Sequence, residues 1–222
     1  MKKELFNLII ESCITIFAVA LLYIVLEPAI TNGANTVSQS VTTEIAFLTP
    51  ATNIILTPSI DVTVGGQASG QTQVVVKTND HSGYLMTITA SSSLGMVGVA
   101  SSTKYIPAYV TGTAGIPDYD FSVPANSAYF GYTVEASTTA DLAQSFKDSA
   151  GVCNSIVGGD TADKCWIAAT TTAYTIVNRS SATTLSGATT TLKFLVVINS
   201  NPNPGIPNDT YVATTTLTAT AN

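Results

Sequence analysis

The chain has 222 residues, of which 45% are hydrophobic and only 10% are charged. This apolar fraction is sufficient for a packed core, and it excludes a chain that is disordered throughout. The net charge of −6 leaves no basic field to attract phosphates, so the composition argues against nucleic acid as a partner.

Residues 5–26 form an almost continuous apolar run, which Lys2 and Lys3 precede. A helix of this length would extend for about 30 Å and would be long enough to cross a bilayer core. The paired lysines are expected to stay in the cytoplasm, so the rest of the chain would be exported. A cleaved signal peptide is the alternative, with small residues at 31–34 as its cleavage site.

Glu11 interrupts the apolar run and argues against an ordinary signal peptide, whose apolar centre is unbroken. A carboxylate at this depth in a membrane costs about 3 kcal/mol, which indicates that it has a partner. An uncleaved membrane anchor in which Glu11 has no role is the simpler interpretation. Lys2, Lys3 or a terminal amine would be the nearest available cation in a bundle of such segments.

The stretch from Phe6 to Glu11, the apolar residues after it and Pro28 resemble the N-terminal segment of type IV pilins. That family has a hydrophobic helix with one buried glutamate near its start and a helix-kinking proline further along. Glu11 and Pro28 are 17 residues apart (28 − 11), which is the spacing that the family shows. The resemblance implies that Glu11 is the assembly carboxylate, pairing with the terminal amine of a neighbouring subunit, and that Pro28 is the kink.

The expected fold class is α+β, with three parts along the chain. A long N-terminal hydrophobic α-helix is predicted over residues 1–29, as a membrane anchor or filament core. A polar linker follows over 30–45, and an all-β, Ig-like β-sandwich is expected over 46–222. Runs of β-branched and aromatic residues predict seven strands, at 59–64, 71–77, 84–90, 129–135, 173–177, 189–199 and 210–221.

Local patterns within the β-domain predict two hairpins and one helix. Strands 71–77 and 84–90 are expected to pair across a polar turn, and strands 189–199 and 210–221 across a Pro-rich loop. Apolar residues alternate along 189–199, so Leu192, Phe194, Val196 and Ile198 are expected on one face of that strand. A helix is predicted over 140–149, where Leu142 and Phe146 would share one face.

The cysteines favour a disulfide in an exported domain. Cys13 lies inside the apolar run, whereas Cys153 and Cys165 are twelve residues apart in a loop-like stretch. Their spacing predicts a bond that stabilises the fold by about 3 kcal/mol and requires an oxidising compartment. Two unpaired buried thiols are the alternative. Zinc is disfavoured, because His81 is the only histidine that could join the two cysteines.

The remaining candidate sites are weak. Asn178 and Asn208 begin sequons and are candidate glycosylation acceptors. His81 lies in a turn and is not expected to form a catalytic triad with its neighbours. Two acidic pairs lack the dense oxygen pattern of a dedicated calcium loop. Those pairs are Asp118 with Asp120 and Asp160 with Asp163. No catalytic residue, cofactor or metal is therefore expected.

The aromatic residues of the β-domain have two interpretations. Trp166 is expected to be a core ring packed on the disulfide, and the segment 102–128, rich in Pro and Tyr, is a candidate surface-binding loop.

Two functions remain open at this stage. The first is a non-enzymatic structural subunit of an extracellular filament similar to a type IV pilus. In it, the N-terminal helices would polymerise into the core of a homopolymer, and the β-domain would be displayed on the cell surface. Before assembly the subunit would be inserted in the cytoplasmic membrane. The alternative is a membrane-anchored adhesion or binding domain that does not polymerise.

Overall fold

The computed structural model describes residues 38–222, and within them Thr42–Asn222 form one compact unit. The expected helix over residues 1–29, with Glu11 and Pro28, lies outside the described residues. The unit has twelve strands: Ile45–Thr49 (β1), Gly65–Thr78 (β2), Tyr84–Ala90 (β3), Gly95–Gly98 (β4), Tyr105–Pro107 (β5), Ala128–Ala136 (β6), Asp148–Ser149 (β7), Val152–Cys153 (β8), Tyr174–Arg179 (β9), Ala188–Asn199 (β10), Tyr211–Val212 (β11) and Thr215–Ala221 (β12).

The expected α+β class is wrong, because the described residues are all-β. Their only helical elements are the 3₁₀ turns Thr139–Asp141 and Gln144–Phe146. Over residues 38–222, no helix combines the length and the apolarity that crossing a membrane requires. Threonine, valine and aromatic residues dominate this region and favour the pleated backbone over the helical one.

The strands form open antiparallel sheets, as in a β-sandwich. The largest has the order β1-β2-β10-β6, and it faces a three-stranded sheet with the order β12-β3-β9. A second three-stranded sheet, β11-β4-β5, and a short β7-β8 ribbon complete the unit. Strand β10 pairs with β2 along its whole length and with β6 along most of it, so it is the central strand of the largest sheet.

Strand β10 shows why the sheets pack face to face. Its side chains alternate between buried and half-buried positions from Ala188 to Asn199. Leu192, Phe194, Val196 and Ile198 lie on the buried side, as the alternation predicted. They meet Met86 and Ile88 of β3 and Ile176 of β9 in one continuous core.

Both predicted hairpins are wrong. Strand β2 belongs to the largest sheet and β3 to the facing sheet, so the turn between them connects two layers. The Pro-rich loop after β10 likewise leads to strands outside the largest sheet. Polar turn residues predict that the chain reverses, but they do not determine whether the strands pair by hydrogen bonds or face each other through side chains.

The predicted helix over 140–149 is also wrong, although Leu142 and Phe146 are both buried as expected. Leu142 forms a β-bridge with Val177, and the Ala143 N–H donates to the Ile176 carbonyl at 3.1 Å. The segment therefore uses its backbone to cover the outer edge of β9, and it cannot form the i to i−4 bonds of a helix.

The predicted strand over 59–64 is a turn. The Asp61 carboxylate accepts hydrogen bonds from the Thr63 N–H and hydroxyl. The backbone carbonyl of Asp61 accepts hydrogen bonds from the N–H groups of Val64 and Gly65. An aspartate that binds its own following backbone competes with strand pairing.

Candidate functional site

The disulfide between Cys153 and Cys165 is confirmed. The two Cα atoms are 5.7 Å apart, and both cysteines are buried. Cys153 is in β8, which pairs with β7, and the Cys165 N–H donates to the Tyr119 carbonyl. The bond therefore joins a small surface ribbon to the segment that runs along the outer edge of β6.

The loop closed by this disulfide has an apolar tip. Ile156 and Val157 are 82% and 90% exposed, and Val152, immediately before the loop, is 64% exposed. Backbone hydrogen bonds on either side of the tip hold the loop. The Ser155 N–H donates to the Lys147 carbonyl, and Asp148 and Gly159 exchange N–H···O bonds. The tip is thus a fixed surface feature that sequence reasoning did not identify.

A charged cluster lies beside the disulfide loop on strands β6 and β10. The Lys193 Nζ is 2.6 Å from the Glu135 Oε1 and 3.0 Å from the Asp163 Oδ1. Asp160 accepts a hydrogen bond from the Ala136 N–H, and burial raises the pKa of its carboxyl above the usual range. Lys193 neutralises two of these acids, so the cluster serves the domain's own packing.

The other acidic pair, Asp118 and Asp120, also makes its contacts within the domain. Asp118 accepts hydrogen bonds from the Tyr109 hydroxyl and the Gly112 N–H, and Asp120 pairs with Lys164 at 2.6 Å. In the part of the chain that the structure describes, no three His, Cys, Asp or Glu side chains converge in a way that would hold a metal ion.

Two aromatic residues of segment 102–128, Tyr109 and Phe121, join Trp166 in a small second core, whereas Tyr105 is exposed. Tyr109 stacks on Phe121 at 4.4 Å, and Trp166 meets the edge of Phe121 at 5.4 Å. Tyr109 and Trp166 are buried, and burial raises the pKa of Tyr109 to about 12. The Trp166 Nε1 donates to the Asp163 carbonyl, which satisfies its polar atom. This layer covers the outer face of β6 through Tyr129.

The two sequon asparagines are both exposed. Asn178 lies in β9, and Asn208 lies in the loop before β11. The next residue, Asp209, accepts hydrogen bonds from the N–H groups of Ala100 and Ser101, and these bonds lower its pKa. Glycosylation at either asparagine stays a prediction.

The His81 Nε2 is 3.4 Å from the hydroxyl of its sequence neighbour Ser82. The His81 side chain is 98% exposed, and its Nδ1 is 3.8 Å from the Asp80 Oδ1, which is too long for a hydrogen bond. The Asp80 carboxylate instead accepts from the Ser82 N–H.

A cleft of about 410 Å³, lined about equally by polar and apolar atoms, opens at one side of the sandwich, between the segment 51–54 and strand β12. Its floor consists of core side chains from several strands: Met96, Phe130, Leu192 and Phe194. Threonine hydroxyls are the main polar groups on its rim. The cleft therefore offers contact with apolar groups and little that would orient a charged ligand.

No protein-family model matches the chain, and no curated protein matches it either. The residues that carry the pilin resemblance, Glu11 and Pro28, lie outside the described residues, so their roles stay predictions.

Proposed function

We propose that this chain is a non-enzymatic structural subunit of an extracellular filament similar to a type IV pilus. Copies associate through their apolar N-terminal segments, and the β-domain is displayed at the cell surface. Before assembly, the N-terminal segment holds the subunit in the cytoplasmic membrane.

One observation carries the proposal: a single chain joins an apolar segment, interrupted near its start by Glu11, to a β-domain closed by a disulfide. An apolar segment needs a lipid or protein environment, and a lone carboxylate within it needs a cation. A buried disulfide belongs in an oxidising compartment outside the cytoplasm. A surface rich in threonine and with few charged residues suits a domain packed beside many copies of itself, because few charged groups have to be desolvated at the contacts.

The test is filament formation by Glu11 variants. Material sheared from cells is expected to contain fibres of this chain by electron microscopy. Glu11→Gln and Glu11→Ala are expected to reduce fibre yield about tenfold or more, because each removes the charge that pairs with a neighbouring subunit. Glu27→Gln is the matched control, since it removes a carboxylate at the end of the apolar run and should leave fibres intact.

Should Glu11→Gln and Glu11→Ala assemble as well as the unaltered chain, Glu11 has no assembly role. Absence of fibres from the unaltered chain, together with recovery of single copies from the membrane, would instead favour the non-polymerising surface-binding domain.

A further inference from the structure

Apart from β12, the outer strands of the two main sheets, β1, β6 and β9, have edges that are covered or blunted. Leu142 and Ala143 cover the outer edge of β9. Tyr109 and Ile167 hydrogen-bond to the outer edge of β6, at Phe130 and Tyr132. Strand β1 is short, has a register shift between Phe47 and Thr49 and ends before a proline. Such devices prevent an edge from pairing with another chain.

Strand β12 lacks these devices. It pairs with β3 over all seven of its residues, and no residue in the range 38–222 pairs with its other edge. Its sequence, from Thr215 to Ala221, contains no charged residue, proline or glycine. Thr216, Thr218 and Thr220 are exposed, while Leu217 and Ala219 pack toward the core. A regular, uncharged edge of this length is suited to pairing with another strand.

We propose that β12 is a self-association edge, where two copies of this chain pair antiparallel about a two-fold axis at Thr218. The pairing joins two three-stranded sheets into one of six strands. Thr218 faces Thr218 of the second copy, Thr216 faces Thr220, and Leu217 faces Ala219.

The sequence of β12 indicates that its pairing partner is β12 of a second copy. Placing the axis at Thr218 aligns all seven residues of both copies and keeps outward side chains opposite outward ones. The exposed face becomes a row of opposed threonines, whose hydroxyls can exchange hydrogen bonds. On the inner face, each leucine meets the small alanine of the other copy. No charged side chain is opposed to another, so nothing in the strand repels a second copy.

The contact is small, and its two-fold symmetry limits it to two copies. A pair of seven-residue edges buries less surface than a stable dimer interface needs, so it becomes effective when copies are held close together on one surface. A two-fold contact generates pairs, not fibres. It would therefore join subunits of two neighbouring filaments, and it uses none of the N-terminal residues on which the proposed filament depends.

The test is a register-specific cross-link in the full chain, held in phosphatidylcholine vesicles so that copies share one surface, as this small contact requires. Single cysteines are introduced in a Cys13→Ser background, and mild oxidation is followed on a non-reducing gel. Thr218→Cys is expected to give a covalent dimer, because paired Cα atoms in an antiparallel sheet are about 4.5–5.5 Å apart, within disulfide reach.

Thr216→Cys alone is the matched control. In the proposed register its two copies lie four residues apart along the strand, or about 13 Å, and should stay monomeric. A mixture of Thr216→Cys with Thr220→Cys should form the mixed dimer. Adding Thr218→Lys to that mixture should lower its yield several-fold through opposed charges, whereas Asn178→Lys on the covered edge strand should not.

The proposal is overturned if Thr218→Cys cross-links no faster than Thr216→Cys. This holds if neither variant reacts, and it holds if both react equally by random collision. Fibre formation in the Glu11 experiment does not affect this outcome, so failure of one proposal is distinguishable from failure of the other.

Discussion

At the residue scale, Cys153 and Cys165 show how a short sequence pattern becomes a structural constraint. Both sulfurs are buried, and the residues between them carry the exposed tip at Ile156 and Val157. The disulfide therefore adds a covalent constraint to a surface feature that backbone hydrogen bonds also hold.

Removing this bond should destabilise the domain. We expect the double variant Cys153→Ala, Cys165→Ala to lose about 3 kcal/mol of unfolding free energy, because the unfolded chain gains the freedom of the opened loop. For a domain of this size, the loss corresponds to a melting temperature roughly 6–12 °C lower.

The measurement is thermal unfolding followed by circular dichroism. Ser155→Ala, a change inside the same loop that keeps the bond, is the control and should melt like the unaltered protein. Equal melting of the double variant and the control would show that the bond contributes nothing to stability.

At the element scale, the turn between β2 and β3 directs the chain from one sheet to the other. Gly83 ends this turn with a φ of 83°, a conformation that side chains with a Cβ rarely adopt. A Cβ built at this position would overlap the Arg179 carbonyl oxygen and lie 2.7 Å from the Ser181 nitrogen. The glycine thus permits β3 to begin directly beside the end of β9.

Gly83→Ala should therefore be strongly destabilising. We expect a loss of about 3 kcal/mol or more, which combines backbone strain with the clash against Arg179. Gly115→Ala is the matched control, because Gly115 also has a positive φ of 76° but would place its Cβ in open space.

The control variant Gly115→Ala should lose about 1 kcal/mol of unfolding free energy, from backbone strain alone. Denaturant unfolding of both variants separates the two contributions. Equal losses would mean that the contact with Arg179 relaxes at no cost.

At the scale of the whole molecule, the described unit has its own core. Among residues 38–222, the buried side chains that join the two main sheets all belong to the unit Thr42–Asn222. A unit that buries its apolar faces internally does not need further segments to fold.

Deletion of residues 1–29 should consequently leave a soluble, folded β-domain, with β-type circular dichroism and a single cooperative melt. The same deletion is expected to abolish fibres, since it removes the segment assigned to assembly. Aggregation of the shortened chain, or loss of its β-type signal, would show that the domain boundary is wrong.

Whether an element could be predicted depends on how far apart in the sequence its interacting residues lie. Alternation along 189–199 predicted the buried face of β10, because side-chain direction in a strand depends only on neighbouring residues. The spacing of Cys153 and Cys165 predicted their bond, because loop closure is also a local property. The burial of Leu142 and Phe146 was likewise predictable from their hydrophobicity.

The partners of those elements were not predictable from local patterns. The segment at Leu142 is extended because the Ile176 carbonyl of β9, distant in sequence, accepts its next N–H. The turn before Gly83 does not encode that β2 pairs with β10 while β3 pairs with β9 and β12.

By itself, the sequence determined the β-rich character of the domain, its disulfide and the alternation of strand β10, all of which depend on composition or on short spacings. The tertiary structure alone decided the pairing of the strands, the loss of the helix predicted over 140–149 and the open edge of β12. Backbone hydrogen bonds between distant segments settle these features; every residue type can accept them through its carbonyl, and every type except proline can also donate them.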